Sequence, residues 1–421
     1  MPTPTVFPVS RRFIGVAKEA VAGTAVMPTI TMPQTAFNPE DKPLWLKDEA
    51  WRNAMGATYG VIQGPMQSSL DMGGPFFGDS IGPCLLNMFG DYAVTGTAAG
   101  GGGSTTLTAP AVAGASTLAV TAITNFSPGD FIQIGTGTTA EVRKVLTAIA
   151  TTITLDSTVA GGVLYYGHAS AQTVVEVTGP YTHKFFQLNS GVGAGGSMSA
   201  QPPTNTFTDY TGMTPTVEAR SYAGSVLSEI QITGAATDLL QWSGKGDGWV
   251  SAPTASKPVA AVSSTATQPS WRSKAGIAGP ASGGTLVNNV QEWSYTISRT
   301  TSVEFTNQNS QNPFSIVRGG MAVTGGLKFM PAIDETPLSN MLTNAQPLMQ
   351  IIADNGLAGL NQVTLTLDSQ VNAYTASKLN SGGVPFGYDN EFECVQNTTN
   401  VGQSQGYGAL TVTLLNNYPT Y

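Results

Sequence analysis

Residues 37–90 read FNPEDKPLWLKDEAWRNAMGATYGVIQGPMQSSLDMGGPFFGDSIGPCLLNMFG, and the way this stretch divides decides the fold. A polar, tryptophan-bearing excursion, Asn38 to Gly60, comes first, and a strand-like run follows from Val61 to Met72. A short helix is then expected from about Asp79, because Ile81, Leu85, Met88 and Phe89 fall at i, i+4, i+7 and i+8 and make one side apolar. Asp79 suits its N-cap, since a carboxylate there accepts from the first-turn amides, and Gly90 suits its stop.

The excursion departs from the rest of the chain. Charged residues make up 10% of the protein, yet Glu40, Asp41, Lys42, Lys47, Asp48, Glu49 and Arg52 crowd into positions 40–52, with Trp45 and Trp51 among them. A tryptophan buries its large apolar face wherever it can, so two in one loop require a partner surface. One reading is a long connection folded back on its own domain. The other is an arm that docks on another subunit, the indoles as anchors and the charges setting register; the second is the expectation carried forward.

The 421 residues leave room for two or three compact units. With 49 glycines and much Thr, Ser and Ala, the composition favours short strands and tight turns. A free soluble monomer carries about a quarter charged residues, so the deficit here points to extensive self-assembly, or to a secreted Thr/Ser-rich protein. The net charge of −8 and a pI near 4.8 argue against a general nucleic-acid binder and for a surface that repels DNA. Two cysteines, Cys84 and Cys394, exclude a disulfide framework or a cysteine-rich zinc module. No stretch reaches the eighteen or so apolar residues of a membrane span. The N-terminus, MPTPTVFPVSRRFIGVAKEA, lacks the apolar segment of a signal peptide, so a cytoplasmic location is expected.

Taken in order, the chain suggests a short approach from Phe13, then a strand at Thr29–Pro33. Beyond Asp91 comes TGTAAGGGGSTTLTAPAVAGAS, read as a linker because four consecutive glycines are conformationally loose. Runs at Leu118/Val120, Phe131–Ile134, Val142–Val145 and Ile153/Leu155, with a turn at Ser127–Asp130, mark a small inserted all-β module. The expected division is therefore 1–97, 98–176 and 177–421. In the last part strands are expected at Val174–Val177, Gly179–Asn189, Thr216–Thr233, Trp293–Ile297, Met321–Phe329, Val363–Leu367 and Leu410–Leu414. A long loop is expected between Gly244 and Gly284, and a polar excursion at Thr306–Gly320. After Met321–Phe329, Leu338, Met341, Leu342 and Ala345 repeat a helical spacing behind Asp334 and Pro337. Gly64 to Asp79 and Gly319 to Asp334 are equally spaced, so the strand–corner–helix plan is used twice as architecture.

Catalytic signatures are missing. Gly402-Gln-Ser404-Gln-Gly406 fits G-x-S-x-G, but loop precedes it and strand follows, and both histidines, His168 and His183, lie upstream. Gly244-Lys245-Gly246 lacks the spacing of a phosphate loop. His183 is read as a hydrogen-bonding residue at a strand edge, and the acid pairs Glu40-Asp41 and Asp48-Glu49 as solvated or interfacial. No catalytic, cofactor or metal residues are assigned, and an exported glycan-cleaving enzyme lacks both its leader and its carboxylate pair.

GVAKEAVAGTAV (Gly15–Val26), the whole of Phe37–Pro65 and GPYTHKFFQLN (Gly179–Asn189) resemble the major tail tube proteins of long, non-contractile-tailed bacteriophages, closest to those of actinobacterial phages. The resemblance implies a mainly β fold, a β-sandwich or barrel-like core with two short helices in the repeated plan. It further implies sheets joined side by side into a hexameric ring, and rings stacked into a hollow tube through which the genome passes without specific binding. A loop of each subunit would reach the next ring, and Asn38–Gly60 matches that loop. On this reading Glu40, Asp41, Trp45, Asp48, Trp51, Arg52 and Tyr59 are the inter-subunit contacts. Partners would be further copies of the chain, the tape-measure protein, the tail terminator and the distal tail or baseplate proteins, with no membrane. The location would be the virion tail, and the host cytoplasm during assembly. The inserted module departs from the minimal family pattern and is expected outside the tube. A capsid decoration or host-surface-binding β-module protein is the alternative.

Overall fold

Alternating apolar and polar residues give this chain its strands. In the computed structural model, residues 12–53, 55–157, 162–191, 201–211, 219–254, 267–281, 286–330, 336–380 and 387–421 are described. The first quarter holds β1 (Phe13–Lys18), β2 (Ile30–Met32), β3 (Ala36–Phe37), β4 (Glu40–Asp48), β5 (Gly60–Pro75), helix α1 (Gly82–Phe89) and β6 (Gly90–Ala98). Short strands follow: β7 (Ser104–Thr106), β8 (Thr117–Ala119), β9 (Phe131–Ile134), β10 (Glu141–Ile149) and β11 (Thr152–Leu155). Then come β12 (Thr173–Gln187), β13 (Asn205–Tyr210), β14 (Ala219–Ala235), β15 (Gln241–Gly248), β16 (Ala252–Thr254), β17 (Lys274–Ile277) and β18 (Leu286–Val287). The last third holds β19 (Val290–Glu304), β20 (Ser315–Phe329), helix α2 (Thr336–Thr343), β21 (Met349–Asp354), β22 (Thr364–Ser369), β23 (Asn372–Asn380), β24 (Gly387–Cys394) and β25 (Thr411–Asn416).

These form two open antiparallel sheets. The first runs β5–β15–β14–β19–β20–β24–β23, with β13, β1 and β2 continuing from the other half of β14. The second runs β18–β17–β21–β22–β25–β12–β9–β10–β11–β8, with β6 and β7 also on β12. Their inner faces share one core: Ile230, Ile232, Tyr295, Ile297 and Phe392 from the first, Phe185, Ile351, Leu365, Val412 and Leu414 from the second. Two sheets closing on a common apolar layer define a β-sandwich-like fold, as expected.

Every residue of α1 is buried in that layer. Leu85, Met88 and Phe89 each contribute roughly 1.5–3 kcal/mol by leaving water. The helix starts three residues later than expected, and Ile81, not Asp79, is its N-cap. Pro83 sets the first turn, and a turn over Phe77–Ile81 takes up the preceding amides, so a carboxylate cap is not used. Gly90 ends the helix at φ 86°, a left-handed value that favours glycine, and β6 begins at that residue. The second helix follows its strand in the same order, yet no residue of α2 is buried and Leu342 is 74% exposed. Asp334, its expected cap, lies outside the described residues.

Several expected loops are strands. Residues 13–18 form buried β1, not an approach. The glycine run 100–103 is a tight turn: the Gly102 N–H donates to the Ala99 carbonyl (3.1 Å) and the Gly103 N–H to the Glu176 carboxylate (2.9 Å). Between 244 and 284 lie most of β15, then β16 and β17, and β20 already starts at Ser315. β15, QWSGKGDG, has glycines at three of its four buried positions, so Trp242 alone gives its inward face a hydrophobic signal.

The small β strands enclose a second apolar cluster around Leu118, Ile132, Ile134, Val145, Ile153 and Leu155. β12 passes from this cluster into the sandwich without interruption at 176/177, pairing first with β7 and β9, then with β6 and β25. Buried polar groups hold the junction. Glu141 pairs with Arg143, lies 2.7 Å from His168 Nε2, and accepts the Tyr165 and Tyr166 N–H groups at 2.8 and 3.2 Å. Tyr166 sets its hydroxyl 2.8 Å from the Asp91 carboxylate at the start of β6.

His183 lies within the sheet, not at an edge, since β12 is flanked there by β6 and β25. Its Nε2 donates to Asn416 Oδ1 (3.1 Å), because the Asn416 amide nitrogen is spent on the Gly78 carbonyl and the Tyr421 hydroxyl. Nδ1 therefore accepts from the Tyr92 hydroxyl (2.7 Å). Complete burial pushes the imidazole down to about 3. The unfolded chain takes up this proton below about pH 6.5 and the folded chain does not, so stability is full above that value and falls as pH drops towards 3. Chemical denaturation at pH 5 should show about 2 kcal/mol less stability from this group than at pH 7. His183→Gln should remove that difference; an unchanged pH slope in the variant would overturn the assignment.

Candidate assembly surfaces

The excursion is a β-hairpin. β4 pairs antiparallel with β5 from Glu40↔Ser69 to Asp48↔Gly60. β15 covers β5 only from Ser68 to Pro75, so beyond Ser68 the two strands form a ribbon with no further strand beside it. At nine residues β4 spans roughly 30 Å. The ribbon's base is fixed to the sandwich. The Asp41 carboxylate accepts the Ser251 N–H (2.8 Å) and hydroxyl (2.6 Å), the Met66 N–H donates to the Gln311 carbonyl (2.8 Å), and the Gln311 amide donates to the Gly64 carbonyl (3.0 Å).

Four of the seven expected contact residues build this ribbon. Asp41 anchors it. Asp48 accepts the Ala50 N–H (3.1 Å) and pairs with Arg52, whose guanidinium lies 4.8 Å from the centre of the Tyr59 ring, which closes the tip. Glu40 pairs loosely with Lys42 at 3.4 Å. Trp45 and Trp51 are displayed instead, 54% and 100% exposed. Leu44, Leu46, Val61, Ile62 and Met55 join them and were missed in the sequence. Register puts Trp45 and Val61 on one face of the ribbon and Leu46 and Ile62 on the other. A two-stranded ribbon is marginal alone in water, and one apolar on both faces calls for covering surfaces on both.

The outward face of the first sheet has the opposite character. Ser243, Gln231, Thr296, Ser298 and Thr324 occupy its middle, with no large apolar side chain among them. Its charges are mostly acidic: Asp71, Glu229, Asp247, Glu292, Asp389, Glu391 and Glu393 against Lys245, Lys328 and Lys378, with Lys245 pairing with Glu229 at 2.8 Å.

Residues that resembled chemical motifs have structural partners. Ser404 is buried; its hydroxyl donates to the Gln187 carbonyl (3.1 Å) and its N–H to Asp91 (2.7 Å). Cys84 and Cys394 are buried free thiols, both pushed up by burial, Cys394 to about 12. Neither should react with a maleimide in the folded protein, and a labelling stoichiometry above zero without denaturant would contradict this. Among the described residues no three His, Cys, Asp or Glu side chains cluster as metal ligands, and no helix is long and apolar enough to cross a membrane.

An open β-sandwich whose motif-like Ser404 and His183 already have structural partners, with an acidic sheet face and a doubly apolar ribbon, is the build of a structural assembly protein. A family model described as phage tail tube protein matches residues 9–348, and the chain belongs to that family. It is a structural component of the phage tail. No curated protein matches the chain. Residues beyond 348 nevertheless complete the sandwich, because β22 and β25 sit in the middle of the second sheet.

Proposed function

We propose that the chain is the repeating subunit of the tail tube of a long, non-contractile phage tail, forming stacked, hexameric rings around a DNA-conducting channel. The observation that carries this reading is the ribbon: a free-standing hairpin apolar on both faces needs a neighbouring copy to cover it. Glu40, Trp45, Trp51 and the apolar residues beside them then make the ring-to-ring contact, while Asp41, Asp48, Arg52 and Tyr59 hold its shape. The acidic, small-residue face of the first sheet suits the lumen wall, since it repels the DNA backbone and offers no apolar hold. The small β unit, 98–176, belongs on the outer surface, where it leaves the bore open. The tape-measure protein would lie within the lumen, and terminator and distal tail proteins at the ends, with assembly in the host cytoplasm.

Negative-stain electron microscopy of the expressed chain tests this. Rings or hollow tubes of uniform bore are expected. Monodisperse single particles at high concentration would count against it and favour a decoration protein.

A further inference from the structure

A cleft of about 890 Å³ lies apart from the ribbon. Its walls come from the Lys18–Ile30 segment after β1, from Pro202–Thr204, from Val163–Tyr165 of the small β unit and from Phe314–Arg318 at the start of β20. Val26, Met27, Val163 and Ile316 give it an apolar lining. Met27 and Val163 are exposed there, 57% and 39%. A cleft of this size holds a bicyclic aromatic group with its neighbours.

Its charge is unbalanced. Arg318, 4% exposed, donates only to neutral acceptors, the Asn87 and Pro202 carbonyls among them, and its Nε has no partner. Lys18 reaches the Tyr421 main-chain oxygen (3.3 Å) and the face of Tyr165, and makes no side-chain ion pair among the described residues. Burial, and then Arg143 beside it, pull the Lys18 ammonium down to about 8 against a smaller opposing effect of the Glu141 carboxylate. The carboxylate in the wall, Glu19, is fully engaged by the Gly23 and Gly224 N–H groups and the Thr204 and Thr206 hydroxyls. An apolar cleft with two cations that make no side-chain ion pair among the described residues selects an occupant that pairs an aromatic ring with a carboxylate.

The chain displays such a segment. At the ribbon tip, Glu49 precedes the fully exposed Trp51 by two residues and has no ion pair among the described residues, since Arg52 is taken by Asp48. We propose that this cleft receives the Glu49–Trp51 tip of a second copy of the chain, the indole entering the apolar part and the Glu49 carboxylate meeting Lys18 and Arg318. The donor and receiver are different patches of one subunit, so the contact is heterologous and propagates head to tail, as a tube requires. This proposal rests on the reading of the ribbon as an inter-ring arm.

Two single-cysteine variants test it, Met55→Cys at the tip and Met27→Cys in the cleft, both at exposed positions and with the native thiols buried. Assembled as a mixture and treated with a short bis-maleimide, they should give a covalent heterodimer. In parallel, Lys18→Glu and Glu49→Lys should each cut tube yield at least tenfold, and their combination should restore it. Met27→Asp, exposed and outside the core, should act like Lys18→Glu if the latter fails to fold. Tubes that form with no heterodimer, together with undiminished yield from Met27→Asp, would overturn the cleft as receptor. A chain with a shortened ribbon separates the two readings. If it does not stack while the cross-link is absent, the arm stands and only the cleft falls; if it stacks normally, both fall.

Discussion

Replacing residues 43–66 by an Asn-Gly turn should yield a folded subunit that forms no tubes. Lys42 and Gln67 face each other across the hairpin, so a two-residue turn joins them without shifting register. What remains of β5 keeps its pairing with β15 from Ser68 to Pro75, and Asp41 keeps Ser251. The excised Leu44, Trp45, Leu46, Trp51, Met55, Val61 and Ile62 are all half or more exposed, so no cavity opens in the core. The body loses the Gln311 contacts to Gln63, Gly64 and Met66, and its melting temperature should move by no more than about 4 °C. Association should respond quite differently. Buried tryptophans at interfaces are worth about 2 kcal/mol or more each, so Trp45→Ala and Trp51→Ala should each weaken ring contacts roughly 30-fold, and the shortened chain should show none. Sedimentation and electron microscopy at matched concentration decide it. Normal tubes from the shortened chain would remove the ribbon from assembly.

How far these features could be read beforehand depended on where side chains carry the signal. Trp293, Tyr295 and Ile297 alternate with Ser294, Thr296 and Ser298, and β19 puts the first set inside as the pattern requires. α1 was legible because Leu85, Met88 and Phe89 repeat at helical spacing, but its start was not: Asp79 offered a conventional cap, and the Phe77–Ile81 turn replaced it. β15 was illegible for the opposite reason. Gly244, Gly246 and Gly248 face inward, and a Cβ on Gly246 would meet the backbone of Val226 and Leu227. The charges and tryptophans of 40–52 marked the ribbon, but its strand character was hidden. With both sides open, β4 has no buried face to set a period of two. Leu44, Leu46, Val61 and Ile62 then look like ordinary strand residues, and only pairing without a covering layer reveals them as displayed. The cleft had no sequence signal, because its walls come from many separated segments between Ala17 and Tyr421.

Glu141→Ala should cost about 3–5 kcal/mol, more than any other single change considered, and should loosen the small β unit first. Glu141 is 2% exposed and accepts from Arg143, His168 and the Tyr165 and Tyr166 amides. Its removal strands the Arg143 charge, itself 4% exposed, and leaves buried donors unpaired, the costly way of breaking a buried ion pair. Glu141→Gln keeps part of the hydrogen bonding and should cost less. The expected fall in melting temperature for the alanine variant is roughly 5 °C. Burial alone would raise the Glu141 carboxyl, but the Arg143 charge and the His168 and Tyr165 hydrogen bonds override it and hold it below the ordinary carboxylate range. A carboxyl lowered on folding stabilises fully above its unfolded value and loses that contribution as pH falls through the folded one. The gap between wild type and Glu141→Ala should therefore be widest near neutrality and narrow in acid below about pH 4. Hydrogen exchange locates the effect: amides of β8 to β11 should lose protection before those of β14 and β19. Uniform loss across both regions would mean that Glu141 supports the whole sandwich, and an unchanged melting temperature would remove it from the junction's stability altogether.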